Sequence, residues 1–392
     1  MSALARLGIP RVINAAGTLT RLGGKPIDDA VVAAMAEAAR VPIDIAALQQ
    51  LASERIGGAL GTEAALVTTG ASAALTLAAA ASIARDDLAR MAALPFAGPP
   101  NEILLPRTHR TMYSHALGAA GARLVEIGHN DRGTGAGVRG LDAWEIAAAI
   151  TPATAAFAFT ATAETIPTLP TVAELCRARD IPVIVDAAAQ LPPRANLRAL
   201  IAMGADLVCF SGGKAIGGPQ ASGVLAGRAD LVASALAQQL DMDIRAESFT
   251  PPPLLRAIFA HGLPQHGLGR GFKAGKEQIV GLLVALEAFA AGDDMAEAAA
   301  LERRLAAIAA PLAGLNSVRT EILSGGRVPV LAVTLDPPSR AAEVVARLGT
   351  HAPAIHLGER RVGEGVLLVD PQALLGPDDA VLATALAASI AG

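Results

Sequence analysis

The chemistry of this chain is best sought first at Lys214. It stands in DLVCFSGGKAIGGPQASG, residues 206–223, where an apolar run gives way to two glycines, the lysine, and then more glycines and a proline. A primary amine held in a partly dry pocket has a lowered pKa and condenses with an aldehyde to a Schiff base. Glycine on both sides clears room for a planar group to approach the backbone. The same residues also describe an exposed turn carrying a solvated lysine, and the local sequence leaves both open.

Three other segments narrow the choice. Asp186 ends the apolar run of IPVIVDAAAQ, at a strand end of the kind where open α/β sheets collect ligands. A carboxylate there suits the ring nitrogen of pyridoxal 5'-phosphate (PLP), whose protonated ring is an electron sink. Ala188, two positions on, faces the same side and can pack flat against a ring; a turn cap is the competing role for Asp186. In VTTGASAALTLAAA, residues 67–80, a short strand passes through Gly70 into an alanine-rich helix. Its free N–H groups and positive dipole end suit a phosphate, as well as an ordinary N-cap. Ser72 adds a hydroxyl, and Ser211, three positions before Lys214, adds another. His109, in LPRTHRTMYSHA, follows a predicted strand; its imidazole can stack on a ring, move protons, or be structural. His115 is expected on a helix face. The order along the chain is phosphate helix, stacking residue, ring aspartate and lysine, which separates the set from isolated coincidences.

These residues need a sheet to hold them. Segments 103–106, 123–127, 155–160, 183–186 and 207–210 are short, apolar on both faces, and read as strands of a parallel sheet covered by helices. Helical patterns at 113–120, 142–150, 171–179 and 196–203 alternate with them, the βαβ arrangement. A further apolar strand is expected at 221–226. A long helix over 276–291 follows, then a helix at 295–310, a strand at 328–335, a helix at 340–348, a strand at 365–369 and a helix at 378–390. The expected organisation is an N-terminal segment 1–60 at a subunit interface, a large domain 61–274, a linking helix 275–294 and a small α+β domain 295–392. Segment 241–271, rich in proline and glycine, is expected to be irregular, as a lid or subunit contact.

Composition bounds the alternatives. In 392 residues, 52% are hydrophobic and 17% charged, enough apolar content for a sizeable core. The net charge of -4 and the lack of a basic block argue against a nucleic-acid partner. Cys176 and Cys209 make neither a metal pattern nor a disulfide framework, so no metal is expected and a reducing, cytoplasmic location is. No apolar run is long enough for a membrane span, and the N-terminus lacks a signal peptide's apolar run.

IPRVINAAGTLTRLGG, TTGASAA, IPVIVDAAA, GADLVCFSGGKAIGGPQASG and GRGFKAGKEQIVGLLVALE together resemble the selenocysteine-synthase-like family of PLP enzymes, nearest its D-glucosaminate-6-phosphate ammonia-lyase-like branch. The resemblance spans about residues 8–290 and is looser beyond. It implies a fold-type-I, aminotransferase-like α/β large domain with a mostly parallel sheet, a smaller α+β C-terminal domain, and a homodimer or larger even assembly. It implies Lys214 as Schiff-base lysine, Asp186 as ring partner, Gly70, Ala71, Ser72 and Ser211 as phosphate cup, and His109 as ring stack. Arg270, Lys273 and Lys276 stand where the family keeps basic residues, and are candidates for a substrate or phosphate anion. The chain departs from the family in starting almost at INAAGT, without the extension that looks like a tRNA-binding part. Where relatives often carry arginine in the VDPQ stretch it has Gln372; Arg360 and Arg361 are candidate substitutes.

The implied activity is a PLP-dependent lyase that removes ammonia from a (hydroxy) amino acid by α,β-elimination, giving a keto acid, with Lys214 and His109 as proton-transfer candidates. Racemisation, aldol cleavage and β-replacement share the same carbanion and stay open. A non-catalytic PLP fold conflicts with the presence of both Lys214 and Asp186. A nicotinamide dehydrogenase conflicts with the spacing around Gly70.

Overall fold

The computed structural model describes residues 3–392 except Thr134, Ala136 and Gln265. Parts of the glycine-rich loop 132–140 and of segment 241–271 therefore lie outside the described residues. The chain divides into two compact units, Met1–Pro26 with Ala291–Gly392, and Ile27–Ala290.

The larger unit is built on a seven-stranded sheet ordered β2-β8-β7-β6-β5-β3-β4. Its strands are β2 (Ala64–Thr68), β3 (Glu102–Pro106), β4 (Arg123–Ile127), β5 (Thr154–Thr160), β6 (Val183–Asp186), β7 (Leu207–Ser211) and β8 (Gly223–Gly227). Strands β4, β3, β5, β6 and β7 run parallel. Strand β8 is antiparallel to both β7 and β2, so β2 points the same way as β7. Alternate residues go to opposite cores: Phe157, Phe159, Val185 and Val208 to one, Ala156, Ala158, Ile184 and Cys209 to the other. That two-sided burial makes the strands read as continuous apolar runs rather than alternating ones.

Helix Ala71–Ala84 is buried nearly all round. Alanine on every side lets the sheet and helix Ala229–Gln239 approach it closely. Helix Lys276–Ala290 packs on helices Asp29–Ala39 and Ile45–Leu60. It is thus part of the larger unit, where a linking helix was expected.

The smaller unit has a five-stranded sheet ordered β1-β11-β12-β10-β9, with β1 (Val12–Ala15), β9 (Val318–Leu323), β10 (Val330–Leu335), β11 (Ala354–Arg361) and β12 (Val366–Val369). Strand β1 pairs parallel with β11, Val12 opposite Ala354 through Ala15 opposite Leu357. The expected N-terminal segment 1–60 is therefore split. Its first part completes the C-terminal unit's sheet, burying Ile13 and Ala15 in that unit's core, and its helices belong to the larger unit.

Candidate active site

The strand register brings the predicted residues to one end of the larger sheet. Thr160 of β5 lies opposite Asp186 of β6, and Asp186 opposite Cys209 of β7. Ser211, at the end of β7, lies opposite Gly223 of β8, and Gly223 opposite Thr68 of β2. Gly70, Asp186 and Lys214 thus follow the carboxyl ends of similarly directed strands, and His109 follows the end of β3. This is the edge where parallel α/β sheets bind ligands.

Asp186 is the last residue of its strand, and its Oδ1 accepts the Ala188 N–H (3.1 Å). Burial raises its pKa, against the pull of that hydrogen bond and of the Lys214 charge. A desolvated carboxylate of this kind fits a cationic ring N–H. The turn-capping role weighed for Asp186 is seen as well, in that bond from the Ala188 N–H. Ala187 is buried, while Ala188 is only half-buried.

His109 is buried (1% exposed). Its Nδ1 accepts the Thr160 N–H (3.2 Å), and the Thr160 hydroxyl donates to the His109 carbonyl (2.9 Å). The ring meets Phe159 edge-on at 4.7 Å. With Nδ1 an acceptor, the neutral ring carries its proton on Nε2, and Nε2 has no partner among the described residues. Burial lowers the pKa to about 4. The imidazole is thus a neutral donor near pH 7. That does not suit proton shuttling, and at 1% exposure the ring has little free face for a cofactor to stack on. Thr160, which fixes this tautomer, was not foreseen; its bonds join residues 51 positions apart, a separation local pattern does not reveal.

Gly70 caps helix Ala71–Ala84 with φ 138°, ψ 165°, a backbone that side chains rarely tolerate. The first-turn N–H groups at Ala71 and Ser72 have no carbonyl within the helix to serve, and Ser72 is exposed. This cradle fits a phosphate. Gly223 is what lets β8 touch it: a Cβ there would lie 2.4 Å from the Gly70 carbonyl carbon and 2.7 Å from the Ala71 nitrogen.

The glycines around Lys214 have a different cause from the one expected. A Cβ on Gly212 would strike the Ser222 hydroxyl at 2.2 Å, and one on Gly213 the Gln220 Cα at 2.6 Å. The loop packs against itself, and this packing holds the half-buried Lys214 at the strand end.

The basic candidates separate. Arg270 is paired with Asp241 at 2.8 Å. Lys276 donates to the Ala39 and Val41 carbonyls, capping the end of helix Asp29–Ala39, a structural task. Lys273 is exposed. In the smaller unit, Arg361 pairs with Glu364 at 2.8 Å. Burial raises the pKa of Asp370, while Arg327 and Arg360 pull it down. Gln372 turns back onto Asp370, Nε2 to Oδ2 at 3.2 Å. His115 bonds the nearby Met112 carbonyl (2.6 Å), as expected of a helix-start residue. Among the described residues no three His, Cys, Asp or Glu side chains cluster as a metal site, and no helix is long and apolar enough to cross a membrane.

The sheet order, the crossover helices and this site define a fold-type-I PLP-enzyme fold. A serine palmitoyltransferase structure with bound PLP shares the fold (TM-score 0.53, 11% identity, 96% of this chain and 86% of that one). The L-seryl-tRNA selenium transferase family model matches residues 114–257. A 5'-C-glycyluridine monooxygenase-decarboxylase of Streptomyces sp is 33% identical over 95% of this chain and 88% of its own length. D-glucosaminate-6-phosphate ammonia lyase of Salmonella typhimurium is 29% identical over 97% of this chain and 96% of its own. The solved structure of a D-glucosaminate-6-phosphate ammonia-lyase matches over 100% of both chains, at TM-score 0.79 and 28% identity. The chain belongs to the selenocysteine-synthase-like family, as its motifs implied.

Proposed function

We propose that this protein binds PLP through Lys214 and acts as a lyase, removing ammonia from a (hydroxy) amino acid by α,β-elimination to give a keto acid. The observation that carries this reading is the register that gathers Gly70, His109, Asp186 and Lys214 at one sheet edge. The full-length similarity to an ammonia lyase supports it.

PLP, when bound, supplies a sink for the electron pair left by the departing α-proton. The desolvated Asp186 carboxylate would hold the ring nitrogen and favour its protonated form. Gly70, Ala71 and Ser72 offer N–H and hydroxyl groups to the phosphate, with Ser211 beside them. Half-buried Ala188 would line the ring site, and neutral His109, with little exposed ring surface, would back it. Lys214 would take the α-proton at Nζ and return it to the β-hydroxyl, which leaves as water; the released enamino acid then hydrolyses to ammonia and the keto acid. The His109 tautomer and low pKa leave that proton work to Lys214. In the larger unit Lys273 is retained as an anion contact, with Arg270 and Lys276 behind it because both are already engaged; in the smaller unit Arg360 is retained ahead of Arg361, which is paired with Glu364.

The working form is read as a homodimer or larger even assembly in the cytoplasm. Support comes from Val32, Ile45 and Leu51, exposed on the two N-terminal helices of the larger unit, and Val41, exposed between them. The free, buried Cys176 and Cys209 suit a reducing compartment.

The similarity to a monooxygenase-decarboxylase favours a second reading, oxidative loss of carbon dioxide from the same carbanion. One experiment separates them. The purified protein is incubated with PLP and a panel of β-hydroxy amino acids, amino-sugar acids and glycyl nucleosides, in air and without oxygen. Ammonia and keto acid formed without oxygen support the lyase; oxygen-dependent carbon dioxide release refutes it. Borohydride reduction should fix the cofactor on Lys214. Lys214→Ala should lose the near-visible absorbance and turnover, and an unchanged spectrum would overturn the assignment.

A further inference from the structure

Strand β2 ends the sheet order, so one of its edges lacks a neighbouring strand. Helix Ile45–Leu60 supplies the missing partners. The Ala65 N–H donates to Ser53 Oγ (2.9 Å). The Val67 N–H donates to Gln49 Oε1 (3.1 Å), and Gln49 Nε2 donates to the Val67 carbonyl (2.9 Å). Positions four apart on a helix rise about 6 Å and positions two apart on a strand about 6.7 Å, so Gln49 and Ser53 meet Val67 and Ala65 in step.

A second buried glutamine carries this brace onward. Gln49 Nε2 also donates to Gln239 Oε1 (3.1 Å). Gln239 Nε2 donates to the Phe272 carbonyl (3.0 Å) and, more weakly, to the Val67 carbonyl (3.3 Å). The Thr69 hydroxyl reaches the same Phe272 carbonyl (3.4 Å). Both glutamines are almost fully buried, so each lost partner leaves a polar group dry and unpaired. The network ties two stretches of backbone together: the turn from Val67 to Gly70 that opens the alanine-rich helix, and the segment ending in Phe272 that leads into Lys273.

We infer that Gln239 is a positioning residue for the phosphate end of the cofactor site, holding the Gly70 turn and the Lys273 segment in fixed relation. This rests on the reading of Gly70–Ser72 as the phosphate cradle. Ser53 braces β2 two residues further from the turn and is the structural control.

The test compares binding of PLP and of pyridoxal, which lacks the phosphate, to apoprotein by spectroscopic titration. Wild-type protein should prefer PLP. Gln239→Leu, close in size, should weaken PLP by roughly tenfold, the scale of a lost buried hydrogen-bond partner, and leave pyridoxal within about twofold. Thr69→Val, a milder change at the same carbonyl, should shift the ratio in the same direction and carries the test if Gln239→Leu folds poorly. Ser53→Ala should lower the melting temperature and leave the ratio unchanged. Equal weakening of both ligands in Gln239→Leu and Thr69→Val would overturn the inference while sparing the cradle. A wild-type protein with no preference for PLP would overturn the cradle, and the inference with it.

Discussion

Gly223→Ala tests whether the phosphate cradle is as tightly built as its geometry indicates. The added methyl would sit 2.4 Å from the Gly70 carbonyl carbon, 2.7 Å from the Ala71 nitrogen and 2.8 Å from the Gly70 oxygen. Ordinary carbon contacts need about 3.5 Å, so something must move by about 1 Å. Strand β8 has little freedom to do so, because Gly223 lies in register with Thr68 on one side and Ser211 on the other. The turn at Gly70 yields instead. Forced overpacking costs about 1–3 kcal/mol, which appears in thermal unfolding of the apoprotein. A cradle displaced by that much also loses one or two charge-assisted bonds to phosphate, about 1.5–3 kcal/mol each. PLP affinity should therefore fall by between about tenfold for one weak bond and about ten-thousandfold for two strong ones, while pyridoxal affinity falls much less. Apoprotein titrated with each ligand, alongside its melting curve, measures both effects. A Gly223→Ala protein with wild-type melting temperature and wild-type PLP affinity would refute the reasoning.

Two further outcomes follow from the titratable groups. Burial lowers the His109 pKa from 6.5 to about 4, so below pH 6.5 the unfolded chain takes up a proton that the folded chain refuses. Stability of the apoprotein should therefore fall as pH drops from 6.5 toward 4, by up to about 3 kcal/mol at this position; His109→Phe should flatten that part of a urea-midpoint profile, and an unaltered slope counts against the buried neutral ring. Asp186→Asn should cut turnover by roughly a hundredfold, the scale of losing one preorganised partner, while PLP still binds. Reconstitution with N-methylated PLP, whose ring charge is permanent, should restore much of the rate, and no restoration would remove Asp186 from the ring nitrogen.

How much of this was legible in the sequence depended on the reach of each interaction. The central strands were readable because two-sided burial makes them short apolar runs: 183–186 coincides with β6, and 207–210 lies within β7. Strand β9, VRTEIL, alternates half-buried and exposed residues through much of its length, and β11 ends in charged residues, so neither gave that signal. Strand β1 became a strand only by pairing with β11, a partnership no local window contains. The site divides in the same way. Lys214, Asp186 and Gly70 announce themselves because strand ends and glycine turns are local features. The residues that hold the site together are less legible: Thr160 acts on His109, Gly223 on Gly70, and Gln49 on Gln239 across 190 positions. The one cue for the last was the Gln238–Gln239 pair in the otherwise mostly apolar ADLVASALAQQ helix. Polar amides in an apolar run incur a desolvation cost unless they are bonded, so their presence there already required partners. Which backbone groups those partners were could emerge only when β2 was found at the sheet's edge with carbonyls and N–H groups to satisfy.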